Sequence, residues 1–127
     1  MTVSALEKKA DRLVQERACR HSRCCVCGGR LGIGGHHIIH KSQCRGSRYV
    51  LRHDLRNILP LCVDCHIPFA HEREGEWLEW LEENKQEVYQ WYVNQLAVPM
   101  VQGLSIRTNS YLRETIKDLK ALCSGLS

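Results

Sequence analysis

A chain of 127 residues with one Phe, four Tyr and three Trp has room for one small domain and only a modest apolar core. It has eight cysteines and no N-terminal apolar run. That combination argues against a secreted disulfide scaffold and for metal ligation in a reducing, cytoplasmic setting. The net charge of +4 hides an asymmetry: residues 1–56 carry 12 Lys/Arg against 4 Asp/Glu, and residues 57–127 carry 6 against 10. The basic first half suits a polyanionic partner. No stretch approaches the ~18 apolar residues of a membrane span, so no membrane association is expected.

Ser4-Ala5-Leu6-Glu7 has the form of a capping box, with Ser4 as N-cap. Leu6, Ala10, Leu13, Val14 and Ala18 follow at helical spacing, which predicts a helix from about Ala5 to Cys19 with a basic surface of Lys8, Lys9, Arg12 and Arg20. Residues 20–33 read as a loop. Within it, Cys24-x-x-Cys27-Gly28 has the form of a zinc knuckle, in which two intervening residues let both sulfurs face one ion. Cys24 is preferred to Cys25 because it alone gives that spacing with Cys27. Gly34-Gly35 leads into a short predicted strand, about His36 to His40.

Lys41 to Arg48 reads as a basic loop, and Tyr49 to Leu51 as a short extended piece. Ile58 to Leu61 is the expected return strand of a hairpin. Cys62-x-x-Cys65 is the second knuckle, and a helix carrying His66 is expected from near Val63; Pro68 is tolerated in a first turn but not deep inside a helix. Glu72 to Gln95 predicts one long helix with Trp77, Leu81, Val88, Tyr92 and Leu96 on one stripe and seven Glu between Glu72 and Glu87. So acidic a helix should face away from nucleic acid. After Pro99 and Gly103, a last helix is expected from about Ser110 to Cys123, with Leu112, Ile116, Leu119 and Leu122 inward. The expected class is α+β in a single domain, residues 1–127. An N-terminal helix (1–20) and a C-terminal helical extension (73–127) flank a zinc-stabilised core (21–72).

Cys24, Cys27, Cys62 and Cys65 supply four thiolates for a structural Zn2+. The 34 residues between the knuckles exceed the spacing of a compact zinc ribbon, so an element must be inserted there. That insertion contains His36 and His37. Neighbouring strand residues point to opposite faces, so one can ligate a second metal while the other meets the substrate. His66 can complete the ligand pair from across the hairpin. Cys19, Cys25, Cys44 and Cys123 receive no role.

In order and spacing, Cys24-x-x-Cys27-Gly28, His36-His37-Ile38, Asn57 and Leu61-Cys62-x-x-Cys65-His66 resemble the HNH endonucleases of the ββα-metal fold. The resemblance covers about Cys24 to His71. His71 and the following Trp77 and Trp80 are also similar to small phage or prophage HNH proteins. The resemblance implies a metal-dependent endonuclease hydrolysing DNA phosphodiesters to a 5′-phosphate and a 3′-hydroxyl. It places His37 as general base, His36 and His66 as ligands of one catalytic divalent ion, and Asn57 as the residue that orients hairpin and base. The ion could be Mg2+, Mn2+, Ni2+ or Zn2+. A homodimer is one route to double-strand breaks.

The sequence departs from the family pattern in three places: at His40, at His71 and in an unusually basic loop from Lys41 to Arg56. His40 stands where the family often has Pro. His71 follows His66 by five residues rather than four, and a distortion at Pro68 would be needed to make it a third ligand. Lys41, Arg45, Arg48 and Arg52, with Arg56, form a basic segment suited to sequence-independent phosphate contacts. The rival readings are a catalytically silent nucleic-acid-binding zinc module and a zinc-stabilised interaction domain whose acidic helix faces a protein partner.

Overall fold

The computed structural model describes the backbone of residues 1–124 and the side chains of residues 1–122. Helix α1 (Val3–Cys19) starts earlier than the Ser4 box predicts. Thr2 is the cap, its hydroxyl accepting from the Ala5 amide at 3.1 Å. Tertiary partners have taken the box residues instead. Ser4 accepts from Arg107, and the Glu7 carboxylate accepts from Tyr49 at 2.6 Å and Arg107 at 2.7 Å.

Strands β1 (Gly34–His37) and β2 (Ile58–Leu61) form a two-stranded antiparallel sheet, pairing Gly34 with Leu61, His36 with Leu59 and His37 with Ile58. The class is α+β. β1 ends at His37 rather than His40, because Asn57 takes over the backbone there. The Asn57 carbonyl accepts from the Ile38 amide at 2.9 Å, and its side-chain oxygen accepts from the Ile39 amide at 2.8 Å. The segment joining the strands is built of 3-10 turns at Lys41–Gln43, Gly46–His53 and Leu55–Asn57, not the predicted loop and extended piece. Tyr49, Leu51 and His53 are buried along the middle turn.

After β2 comes a single turn, α2 (Val63–Cys65), which widens at once into a π-helical turn, His66–His71. The predicted long helix is two: α3 (Glu74–Asn84) and α4 (Gln86–Ala97), broken at Lys85, whose φ of −136° and ψ of 62° are not helical. The break lets α4 pack on α3, with Val88, Tyr89 and Tyr92 against the cluster of Trp77 and Leu81. Leu96, predicted on the inward stripe, is exposed. Helix α5 (Asn109–Ser124) lies against α1, burying Leu112, Ile116 and Leu119 with Leu6, Ala10 and Val14. Leu122, predicted inward, is exposed. The Cys123 side chain lies outside the described residues. Among the described residues, no helix is long and apolar enough to cross a membrane.

One apolar cluster surrounds Cys24, Ile38, Leu61, Cys62 and Trp77, and another joins α1 to α5. Ile58 packs with Val14 and Leu119, and Ile39 with Cys44 and Leu51. The close approach of α1 to the hairpin requires a glycine at position 35. A Cβ there would lie 2.6 Å from Ile58 Cγ2 and 2.8 Å from Gln15 Oε1. Gly35→Ala should therefore destabilise the fold by about 1–3 kcal/mol through overpacking. Denaturant titration of the zinc-loaded protein checks this, and an unchanged midpoint would refute the close-packing account.

Candidate metal centres

The first knuckle is shaped by short backbone bonds. Cys24 N–H donates to the Gly29 carbonyl at 2.8 Å, and Gly28, at a φ of 76°, donates back to the Cys24 carbonyl at 2.9 Å. The second knuckle starts α2, where the His66 amide bonds the Cys62 carbonyl at 2.9 Å. The Cys25 amide bonds the Pro60 carbonyl at 2.9 Å, and the Val63 amide bonds the Leu31 carbonyl at 3.1 Å, holding the knuckles face to face. The sulfurs of Cys24, Cys27, Cys62 and Cys65 lie within 4.8 Å of one another.

The sulfurs of Cys27 and Cys62 are 3.5 Å apart, far beyond a disulfide bond. Four thiolates around Zn2+ at ~2.3 Å stand about 3.8 Å apart, so the cluster suits a tetrahedral zinc site. The Cys24 thiol is lowered to about 6: burial raises it, but amides of Cys27, Cys62 and Val26 directed at the sulfur outweigh that. Burial and the Cys24 charge push Cys25 up to about 11, which leaves it a packing thiol. Cys44 is buried under Ile39 and Leu51.

A second cluster lies across β1. His36, His66 and His71 bring ring nitrogens within 4.8 Å of one another, with ring centres 4.7 Å apart for His36 and His71 and 5.0 Å for His66 and His71. The π-helical turn is what unites the last two. Pro68 has no N–H for an α-helical bond, and the chain takes in an extra residue, so that the Glu72 amide reaches back five residues to the Ile67 carbonyl at 3.0 Å. Five-residue spacing in this turn does what four-residue spacing does in an α-helix.

His36 is the buried member, 1% exposed, with Trp77 edge-on at 5.4 Å. Among the described residues neither of its ring nitrogens has a hydrogen-bond partner. Leaving such groups unpaired is costly, and a metal ligand bond would relieve one of them. Burial first, then the neighbouring His71, His66 and His40, lower its pKa to about 3, which keeps the ring neutral as ligation requires. Burial and His71 lower His66 as well. The donor set thus fits a divalent ion. His40 turns aside to pair with Glu74, Nε2 to Oε2 at 2.9 Å.

His37 points to the other side of the strand. Its Nε2 is 2.9 Å from the Arg52 carbonyl oxygen, which can only accept, so Nε2 carries the proton and the neutral ring keeps its lone pair on Nδ1. Burial lowers the His37 pKa, against the Arg52 carbonyl bond, which raises it. A cleft of about 250 Å3 opens between His37 and the cluster, walled by Gln15, His37, His40, Lys41, His66 and His71.

Asn57, 0% exposed, accepts from Ile39 N–H and donates to the carbonyls of Ile39 and Leu51, both at 3.0 Å. It orients the hairpin backbone; its side-chain bonds do not include His37. Of the basic segment, Lys41 and Arg45 are exposed. Arg48 instead donates to the carbonyls of Leu96 and Val98, and Arg52 makes a fork to Asp11, Nε at 2.9 Å and Nη2 at 2.7 Å. Sequence reading passed over Asp11 and Gln15 and took Glu7 for a capping residue only. Their signal is four-residue spacing on α1 amid basic neighbours. No family model, curated protein or solved structure matches the chain.

Two outcomes follow, one from the cysteine and histidine clusters and one from the Arg52 fork. Cys62→Ser should lose tightly bound Zn2+ and much of the fold, whereas His66→Ala should keep both, as checked by metal analysis with circular dichroism. The second concerns acid. Burial raises the Asp11 carboxyl, but hydrogen bonds from Arg52 and His53 outweigh it and hold it far below the usual carboxylate range. A carboxyl depressed in the folded state stabilises above its unfolded pKa and loses that contribution as pH falls. The melting temperature of the native protein should therefore drop more steeply between about pH 5 and pH 3 than that of Asp11→Asn. Parallel pH profiles would contradict the assignment.

Proposed function

We propose that the protein is a metal-dependent endonuclease of the HNH type, hydrolysing DNA phosphodiester bonds in the cleft between His37 and the His36–His66–His71 cluster. The observation that carries the reading is His36: a buried neutral imidazole with both nitrogens unpaired, facing two further histidines beside a strand neighbour whose lone pair is free. The motif order from Cys24 to His66 and the sheet-then-turn arrangement support a ββα-metal core. A divalent ion held by His36, His66 and His71 would supply positive charge to the scissile phosphate and its leaving oxygen.

His37 takes a proton from the attacking water at Nδ1 while Nε2 stays anchored on the Arg52 carbonyl. The water oxygen bonds to phosphorus as the bond to the 3′-oxygen breaks. The products are a 5′-phosphate and a 3′-hydroxyl, the leaving oxygen taking its proton from solvent water and His37 returning the one it took to solvent. Asn57 holds the backbone beyond β1 and so keeps His37 and His36 on opposite faces. Lys41 at the cleft wall and the exposed Arg45 provide phosphate contacts. The four cysteines would hold a structural Zn2+, which would pin both ends of the hairpin.

Incubation of supercoiled plasmid with the protein and Mg2+, Mn2+ or Ni2+ tests this. Metal-dependent nicking should fall by about 100-fold or more in His37→Ala. Equal cutting by both proteins would remove His37 from the mechanism. DNA binding that weakens with salt, without any cleavage, would instead favour the catalytically silent zinc module.

A further inference from the structure

Apart from the two candidate ligand clusters, a dense polar assembly joins α1 to the turn Gly46–His53. Asp11 accepts from Arg52 Nε at 2.9 Å, from Arg52 Nη2 at 2.7 Å and from His53 Nε2 at 2.8 Å. Arg52 and His53 are consecutive residues. One carboxylate therefore clamps the side chains on both sides of a single peptide unit. The carbonyl of that unit is the Arg52 oxygen that receives the His37 Nε2 proton at 2.9 Å.

The clamp is well built for orientation. The Arg52 contact is a two-point fork, which fixes direction as well as distance. His53 is buried, with a side chain 1% exposed. One turn before Asp11, Glu7 accepts from Tyr49 on the same 3-10 turn. One turn after it, Gln15 holds the residue before His36: Nε2 donates to the Gly35 carbonyl at 3.0 Å, and Oε1 accepts from the Gly35 amide at 2.8 Å. A single face of α1 thus grips the His36–His37 pair from both ends. Asp11 does not line the cleft and belongs to neither metal cluster.

We infer that Asp11 is a positioning residue: it fixes the peptide between Arg52 and His53 and, through that carbonyl, the orientation of the His37 ring toward the reacting water. The inference rests on the reading of His37 as the base. Misaligning that ring by a fraction of an ångström slows the chemical step without weakening DNA binding, because Asp11 is in neither the cleft wall nor the metal-ligating clusters.

The test uses the full chain, zinc-loaded, with Asp11→Asn. Expected is a fall in kcat for plasmid nicking of about ten- to 100-fold. KM should stay within about twofold, and the zinc content should not change. Asp11→Glu, which restores the charge and the fork, should recover part of the loss. Nitrogen–proton spectra of the histidine rings, assigned with His37→Gln, supply a readout independent of cleavage. The native protein should show a protected Nε2–H on His37 that is lost or shifted in Asp11→Asn.

A native protein that does not cut DNA would overturn the endonuclease reading, while the ring spectra would still decide the Asp11 link. Should Asp11→Asn fail to fold, Arg52→Lys keeps the charge but not the fork, and the same split between kcat and KM is expected. Native kcat together with an unaltered His37 ring signal overturns the proposal. So does a loss confined to KM, which would make the assembly a DNA-contact element.

Discussion

Cys24, Cys27, Cys62 and Cys65 gather their sulfurs within 4.8 Å, and the chain between the two pairs must close on itself. Everything placed in that closed segment inherits its geometry. Gly34 enters β1 opposite Leu61, the residue before Cys62, so the sheet register is set one residue from the thiolates. The apolar cluster then forms around the knuckles, with Cys24 and Cys62 buried beside Ile38, Leu61 and Trp77. With one Phe in the whole chain, that cluster is small, and a metal bound to the four sulfurs would contribute folding free energy that side-chain burial alone does not supply.

The hairpin held in this way separates the surroundings of two adjacent histidines. His36 faces inward to His66, His71 and Trp77; His37 faces the Arg52 carbonyl. Strand alternation supplies the separation, and Asn57 preserves it where the ladder stops. Helix α1 adds a second level of support from outside the hairpin. Its Glu7, Asp11 and Gln15 reach Tyr49, the Arg52–His53 pair and Gly35, so a chain segment remote in sequence supports both ends of the candidate site.

What could be read from the sequence was what local spacing encodes. The two Cys-x-x-Cys knuckles, the His36–His37 pair and the apolar return strand Ile58–Leu61 depend on near neighbours, and the structure places them as their spacing suggests. The end of β1 at His37 was not legible, because it is decided by the Asn57 side chain, 18 residues away in sequence from Ile39. The fate of Arg52 was equally hidden, since its partner Asp11 is 41 residues distant. The same holds for the N-cap: Ser4 and Glu7 fit a box, yet long-range partners at Tyr49 and Arg107 claimed them. His71 lay between these cases. Pro68 flagged a distortion, but only a π-helical turn turns five-residue spacing into convergence. The break at Lys85 had no such flag, as the stripe of Trp77, Leu81, Val88 and Tyr92 is continuous in sequence.

Two groups of candidate metal ligands flank one hairpin, sulfurs in one and imidazoles in the other, and each is proposed to hold its own ion. Anomalous diffraction from crystals of the zinc-loaded protein soaked in Mn2+ or Ni2+, recorded at each metal's absorption edge, tests it most directly. The account predicts a zinc peak among Cys24, Cys27, Cys62 and Cys65 and a second, distinct peak among His36, His66 and His71. A second metal bound elsewhere, or no peak between the three histidines, would contradict it.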